Sequence, residues 1–180
     1  MEGKTCLFIG RFQPLHNGHL RAIQWNLARG FQLVIVIGSL QEYATAQNPL
    51  DFRQRSAMIK TALAAAGIKK YQLVGLPDFQ SDEQWVKKLL EVSNVQKDKA
   101  VVSSLNPWTE QVCQQAGIAV LRHPKFFNGL SATQVRKKIA TGKEWKNLVP
   151  RSVFEFLKNQ HLDKKIKDYQ IKPEAHAAIK

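Results

Sequence analysis

Apolar residues along this chain fall into two patterns, short continuous runs and longer stretches spaced for a helix face. The runs Cys6–Ile9, 31–37 (FQLVIVI), Tyr71–Leu76, Ala100–Ser103 and Ile118–Leu121 read as strands. The second is β-branched and unbroken, as expected of a strand buried on both faces of a parallel sheet. Between the runs, Leu20, Ile23 and Leu27 form a helical stripe that ends at Gly30, a suitable left-handed cap. An Ala-rich helix from about Phe52 to Ala66 closes at Gly67, and further helices are expected over about Glu83–Val92 and Trp108–Ala116. Strands alternating with helices of this length predict right-handed βαβ units and an α/β fold with an open, doubly wound parallel sheet. Ligands of such sheets bind outside the carboxyl ends of the strands, near the switch in strand order.

The last third changes character. Ser131 and Gln134 have capping-box spacing ahead of Val135 and Ile139, and Gly142 closes that helix. Pro150 suits the first turn of another, with Val153, Phe154 and Leu157 on one face. Beyond His161 the pattern weakens, so one domain over 1–162 is expected, including C-terminal helices over 131–162. Residues 163–180 are expected to be a basic tail, partly disordered. There is no internal repeat and no low-complexity linker.

Charge adds a direction. The net charge is +13, and residues 121–180 carry 14 Lys or Arg against 5 Asp or Glu, which leaves +9 in the last third. Such a field attracts nucleotides, nucleic acid and anionic lipid alike, and does not choose between them. Cys6 and Cys113 lie far apart with no C-x-x-C pair, there is no apolar run of membrane-spanning length, and no signal peptide is read. The cytoplasm is the expected compartment.

The candidate chemistry is concentrated in Gly10–His19, GRFQPLHNGH, which joins the first strand to the first helix. His16 and His19 sit beside a helix N-terminus, where orphan N–H groups and the dipole favour an anion. Pro14 sets the approach, and Gly10 and Gly18 allow close passage of the backbone. The plain alternative is a capped βα turn with two surface histidines. A second anion site is indicated where Ser131 and Thr133 offer hydroxyls at a helix start with Arg136 one turn in. There the plain alternative is an N-cap and a surface arginine. The dinucleotide-binding G-x-G-x-x-G is absent.

GRFQPLHNGH resembles the H-x-G-H signature of the nucleotidyltransferase superfamily, in the fuller form found in archaeal-type nicotinamide mononucleotide (NMN) adenylyltransferases. LSATQVR is similar to the I-S-x-T-x-x-R motif that accompanies it, with Leu130 for Ile. In Gly38–Arg55, Ser39, Asn48, Pro49 and Arg55 match the family's G-S-A…N-P-F-T-x-x-E-R stretch, while Asp51 replaces Thr and Gln54 replaces Glu. Pro77-Asp78 followed by Trp85-Val86 resembles its P-D…W-V segment, with Asp82 where the family has Asn. Asn106-Pro107 matches a G-N-P turn apart from Leu105, and Trp145 to Pro150 resembles a W-x-x-L-V-P close. Single matches of this kind are common. Their shared order over about Leu7–Leu162 is what makes the resemblance specific.

The resemblance implies a Rossmann-like sheet with a C-terminal helical segment, and adenylyl transfer from ATP to NMN without a covalent enzyme intermediate. The implied catalytic groups are Arg11, His16, His19 and Arg136. ATP is expected on Gly10, Arg11, Phe12, His16, Gly18, His19, Ser131, Thr133 and Arg136. NMN is expected on Ser39, Arg55, Asp78, Trp85 and Asn106, with Trp85 stacked on the pyridine ring. Asp78 binds a ribose hydroxyl or caps the next helix. Trp25, Trp108 and Trp145 are assigned to core or interface packing. Mg²⁺ is expected to be held by ATP phosphates and water, so no protein metal site is implied. Partners are the two nucleotides and further copies of the chain as a homo-oligomer, with neither nucleic acid nor membrane. The alternatives are the same chemistry on nicotinate mononucleotide, FMN, phosphopantetheine or glycerol phosphate, or a basic nucleic-acid-binding module.

Overall fold

The computed structural model of the protein describes residues 3–171. The chain forms two compact units, interleaved in sequence. Among the described residues the first comprises 3–10, 21–41 and 70–124, and the second comprises 11–20, 42–69 and 125–171.

The first unit is built on a parallel sheet of β1 (Thr5–Gly10), β2 (Gln32–Ile37), β3 (Gln72–Gly75), β4 (Ala100–Ser103) and β5 (Ala119–Leu121). The strand order is β3-β2-β1-β4-β5, so the order reverses between β1 and β4. Register is set by pairs such as Leu7↔Val34 and Leu7↔Val102. The pleat sends alternate residues to opposite faces. On one face Leu7, Val34, Val36, Ala100 and Val102 pack with Trp85, Val86 and Leu89 of α3 (Asp82–Ser93) and with Val112 and Cys113 of α4 (Pro107–Gln115). The other face carries Cys6, Phe8, Leu33, Ile35 and Ile37, all buried. There Asn26 of α1 (Asn17–Leu27) donates to Ser103 Oγ at 3.0 Å. Helices therefore cover both faces, which is the doubly wound, Rossmann-like arrangement.

The second unit is helical. It contains α2 (Phe52–Ala65), α5 (Ala132–Ala140), α6 (Arg151–Asn159) and α7 (Leu162–Ile171). Packing pairs α2 with α6, α5 with α7, and α6 with α7. Met58, Ile59, Leu63, Val135, Val153, Leu157 and Ile166 are buried here. Full burial of each such side chain is worth roughly 1.5–3 kcal/mol.

The expected elements are all present, with ends displaced by a residue or two. Gly30 takes the left-handed conformation assigned to it, with φ of 79°, and Gly67, expected to close its helix, is left-handed too, with φ of 71°. Pro150 stands at the N-cap of α6 rather than inside its first turn. The larger difference is α7. Where a basic tail is expected, residues 162–171 form a helix that buries Leu162, Asp163 and Ile166, and Lys158 pairs with Asp163 at 2.6 Å. Of the expected tail, residues 172–180 lie outside the described residues.

Candidate active site

His16 and His19 belong to the second unit, at the start of α1, and they cap that helix with each other. The His19 main-chain N–H donates to His16 Nδ1, and the His16 main-chain N–H donates to His19 Nδ1, both at 3.3 Å. This is the reciprocal topology of a capping box, made from two imidazoles. The rings stack with centroids 3.6 Å apart. Because each Nδ1 accepts a hydrogen bond, each neutral ring carries its proton on Nε2 and turns a donor away from the backbone. Burial pushes the His16 pKa down to about 4, so its ring is neutral near pH 7. A Cβ on residue 18 would lie 3.0 Å from His16 Nδ1, so glycine is what allows the ring to fold back over the helix start. Its close approach serves the histidine.

The loop ahead of this pair is clamped from two sides within the same unit. The Gln13 side chain donates to the Leu50 carbonyl at 2.8 Å and accepts the Leu50 N–H at 3.0 Å, as a strand neighbour would. Arg55 Nη1 donates to the Arg11 carbonyl at 3.2 Å. Arg136 Nη1 donates to the Gln13 carbonyl at 2.8 Å. Between these anchors Phe12 is left-handed, with φ of 51°, and is buried against His19 with ring centroids 5.0 Å apart. Phe12 is thus a packing residue beneath the histidine in this geometry.

Ser131 and Gln134 form the expected capping box at the start of α5. Arg136 is not on the surface; it is 5% exposed. Its Nη2 donates to Thr133 Oγ1 at 3.3 Å, and its buried Nε has no hydrogen-bond partner. Burial and then the neighbouring Arg11 cation lower its pKa. Arg11 itself is exposed. Among the described residues neither Arg11 nor Arg136 has a carboxylate within ion-pair distance. Two like charges, one desolvated and both without an acidic partner, favour an anion. The second unit therefore brings together Arg11, His16, Gly18, His19, Ser131, Thr133 and Arg136 of the expected ATP set.

The residues expected for NMN divide differently. Arg55 is in the second unit and fully buried. Ser39, Asp78, Trp85 and Asn106 lie in the first unit, after β2, β3 and β4, as does Gly10 at the end of β1. Gly10 accepts the Gly38 N–H at 3.0 Å. Asp78 is exposed, and its main chain is held by Gln41, which accepts its N–H at 3.0 Å. Ser81 is the N-cap of α3, so Asp78 does not cap that helix. Asn106 caps α4 by accepting the Thr109 N–H at 3.0 Å.

The two tryptophans differ in burial from the roles expected for them. Trp85 is 3% exposed and sits in the sheet core, whereas Trp108 is 45% exposed and meets Trp85 edge-on at 5.0 Å. Trp108 follows Pro107 in the first turn of α4, which begins beyond the carboxyl end of β4. Trp145 is buried as expected, and Trp25 is half-buried beneath the Arg29 guanidinium.

The cytidylyltransferase-like family model matches residues 7–164. The chain is 38% identical over 157 residues to the nicotinamide-nucleotide adenylyltransferase of Thermococcus onnurineus, spanning 86% of this chain and 82% of that protein. It is 37% identical over 167 residues to the protein of the same name from Ignicoccus hospitalis, spanning 91% and 96%. Among solved structures it is similar to a bifunctional NMN adenylyltransferase/ADP ribose pyrophosphatase from Francisella tularensis, complexed with AMP and a Mn ion. That likeness has a TM-score of 0.78 and 23% identity over 94% of this chain. The chain spans about half of that protein's length, 52%.

Proposed function

The chain belongs to the cytidylyltransferase-like family, and from that premise we propose that it transfers the adenylyl group of ATP to nicotinamide mononucleotide. The 5′-phosphate oxygen of NMN forms a bond to the α-phosphorus of ATP as the bond from that phosphorus to the bridging oxygen breaks. The products are NAD and pyrophosphate. No protein nucleophile is needed, so catalysis consists of alignment and of neutralising charge on the transferred group and the leaving pyrophosphate.

The observation that carries this reading is the grouping in the second unit of two Nε2–H donors with two guanidinium groups that lack acidic partners. His16 and His19 donate to phosphate oxygens, and Arg11 and Arg136 stabilise the triphosphate charge. Ser131 and Thr133 add hydroxyls at the N-terminus of α5. Arg136 meets phosphate with what remains of its fork, because one terminal nitrogen already holds the Gln13 carbonyl. For the pyridine ring the available indole face is that of Trp108, and Asp78 has its carboxylate free in solvent to meet a ribose hydroxyl.

The described residues contain no group of three or more His, Cys, Asp or Glu side chains able to hold a metal ion. Mg²⁺ is taken to enter with the substrate, bound to the phosphates of ATP. Both cysteines are buried free thiols, pushed up to about 12, and among the described residues no helix is long and apolar enough to cross a membrane. The two free thiols support a cytoplasmic enzyme. The resemblance also supports a homo-oligomer, which light scattering reads directly.

The test is pyrophosphate release from ATP and Mg²⁺ with NMN, nicotinate mononucleotide, FMN, phosphopantetheine and glycerol 3-phosphate as separate acceptors. Release with NMN, with NAD as product, is expected. Release with FMN or phosphopantetheine and none with NMN would keep the ATP site and overturn the acceptor.

A further inference from the structure

We infer that Arg55 is a positioning residue for adenylyl transfer, acting through the Arg11 peptide rather than by touching either nucleotide. The inference rests on the proposed reaction. Arg55 lies in the first turn of α2 with no exposed surface, so its guanidinium reaches no substrate in this geometry. What it does reach is the main-chain carbonyl of Arg11, at 3.2 Å.

The next residue explains why that carbonyl needs an anchor. Phe12 has φ of 51°, a left-handed conformation that a residue with a Cβ keeps only where its surroundings over-determine it. The peptide before Phe12 is held by Arg55, and the one after it belongs to Gln13, whose side chain is paired with Leu50. Both anchors belong to one feature, because Leu50 immediately precedes Asp51, the N-cap of α2. That end is itself braced: Asp51 and Gln54 close a capping box, and Gln54 Oε1 accepts Lys165 of α7 at 2.9 Å. The start of α2 thus fixes the direction in which the exposed Arg11 side chain leaves the loop. It also fixes Phe12 beneath His19. A lysine at position 55 would keep the charge but replace a rigid fork with one flexible ammonium.

The test compares Arg55→Lys and Arg11→Ala singly and together, in steady-state NAD formation. NAD formation by the unmodified protein is checked first, and its failure would count against the proposed function alone. For a positioning role, Arg55→Lys lowers kcat by about tenfold or more while KM for NMN stays within about twofold. In the Arg11→Ala background the anchored carbonyl remains but the guanidinium whose direction it sets is gone, so the same change lowers kcat by less than about threefold. A rise of about tenfold in KM for NMN at unchanged kcat would mean a direct phosphate contact and overturn the inference. Full additivity with Arg11→Ala would also overturn it. If circular dichroism shows that Arg55→Lys does not fold, Gln13→Met releases the same loop from its other anchor. It should reproduce the kcat loss and the non-additivity, and an unchanged kcat refutes the inference.

Discussion

Acidification should weaken the folded state through one buried ring. His16 has its pKa pushed down to about 4 by burial, against 6.5 for the exposed imidazole of the unfolded chain. Above pH 6.5 the ring is neutral in both states and contributes nothing to pH dependence. Between 6.5 and 4 the unfolded chain takes up a proton that the folded chain refuses, so stability falls with pH. Below about 4 both states are protonated and the loss is complete. A gap of about 2.5 pH units at ~1.4 kcal/mol each gives a loss of about 3 kcal/mol from this residue alone. The geometry gives a second reason for the direction: protonating Nδ1 would break the bond from the His19 N–H and place a cation on a ring stacked 3.6 Å from another imidazole.

The comparison that isolates His16 uses His16→Asn, since asparagine is a good N-cap and does not titrate. Urea unfolding of both proteins would be followed by far-ultraviolet circular dichroism at several pH values from about 7.5 to 4. The variant carries a constant offset from lost packing, and the titrating groups that do not touch the His16 ring, His123 included, are common to both curves. The stability difference between the two proteins should therefore shrink by about 3 kcal/mol as pH falls. A difference that stays constant within about 0.5 kcal/mol would refute both the burial argument and the reciprocal cap, because a solvated ring takes up its proton equally in both states.

Other substitutions probe the remaining parts. Gly18→Ala places a Cβ 3.0 Å from His16 Nδ1; thermal melts should show about 1–3 kcal/mol of lost stability, and NAD formation should fall with it. Trp85→Ala should cost about 3–5 kcal/mol in urea unfolding as a core truncation. Trp108→Ala should leave stability within about 1 kcal/mol but raise KM for NMN by about tenfold or more, as loss of a stacking face does; the opposite pattern returns the ring contact to Trp85. His19→Ala should lower kcat by about 10²–10³ through loss of a phosphate donor, with unchanged kcat counting against its role. Arg136→Lys should reduce activity and also destabilise by about 1–3 kcal/mol, since the Gln13 carbonyl loses its donor; a melt identical to the unmodified protein would show that bond to be dispensable.

The sheet was legible because its strands are bounded apolar runs and the helices α1 and α4 are followed by left-handed glycines, Gly30 and Gly117. Local chemistry determined those features. The helix α7 was not legible, since its period is weak and its buried residues, Leu162, Asp163 and Ile166, include a carboxylate. Only the partner Lys158 makes the burial of Asp163 intelligible, and that partner is a tertiary fact. The departures Asp51 and Gln54 look from sequence like a loss of support for Arg55. In three dimensions they are a complete capping box, because aspartate accepts the N3 amide as threonine would, and glutamine reaches back as glutamate would. The chemistry was conserved although the letters changed.

At the site, sequence shows which groups are present but not which of their atoms are already engaged. Arg55 and Arg136 both read as cations for phosphate, yet each spends a terminal nitrogen on a carbonyl of the Arg11–Gln13 loop. Arg55 has no exposed surface, whereas Arg136 retains 5% exposure and carries its charge beside Arg11. The same logic applies to the histidines. Their i, i+3 spacing is that of S-x-x-E, and this could have announced a cap from the sequence alone. Once the Nδ1 atoms are committed to that cap, the tautomer follows, and with it the donor direction. A helix start that a capping box closes with a hydroxyl and a carboxylate is closed here by two imidazole rings. It caps its backbone without introducing a negative charge, and therefore remains able to bind a polyphosphate.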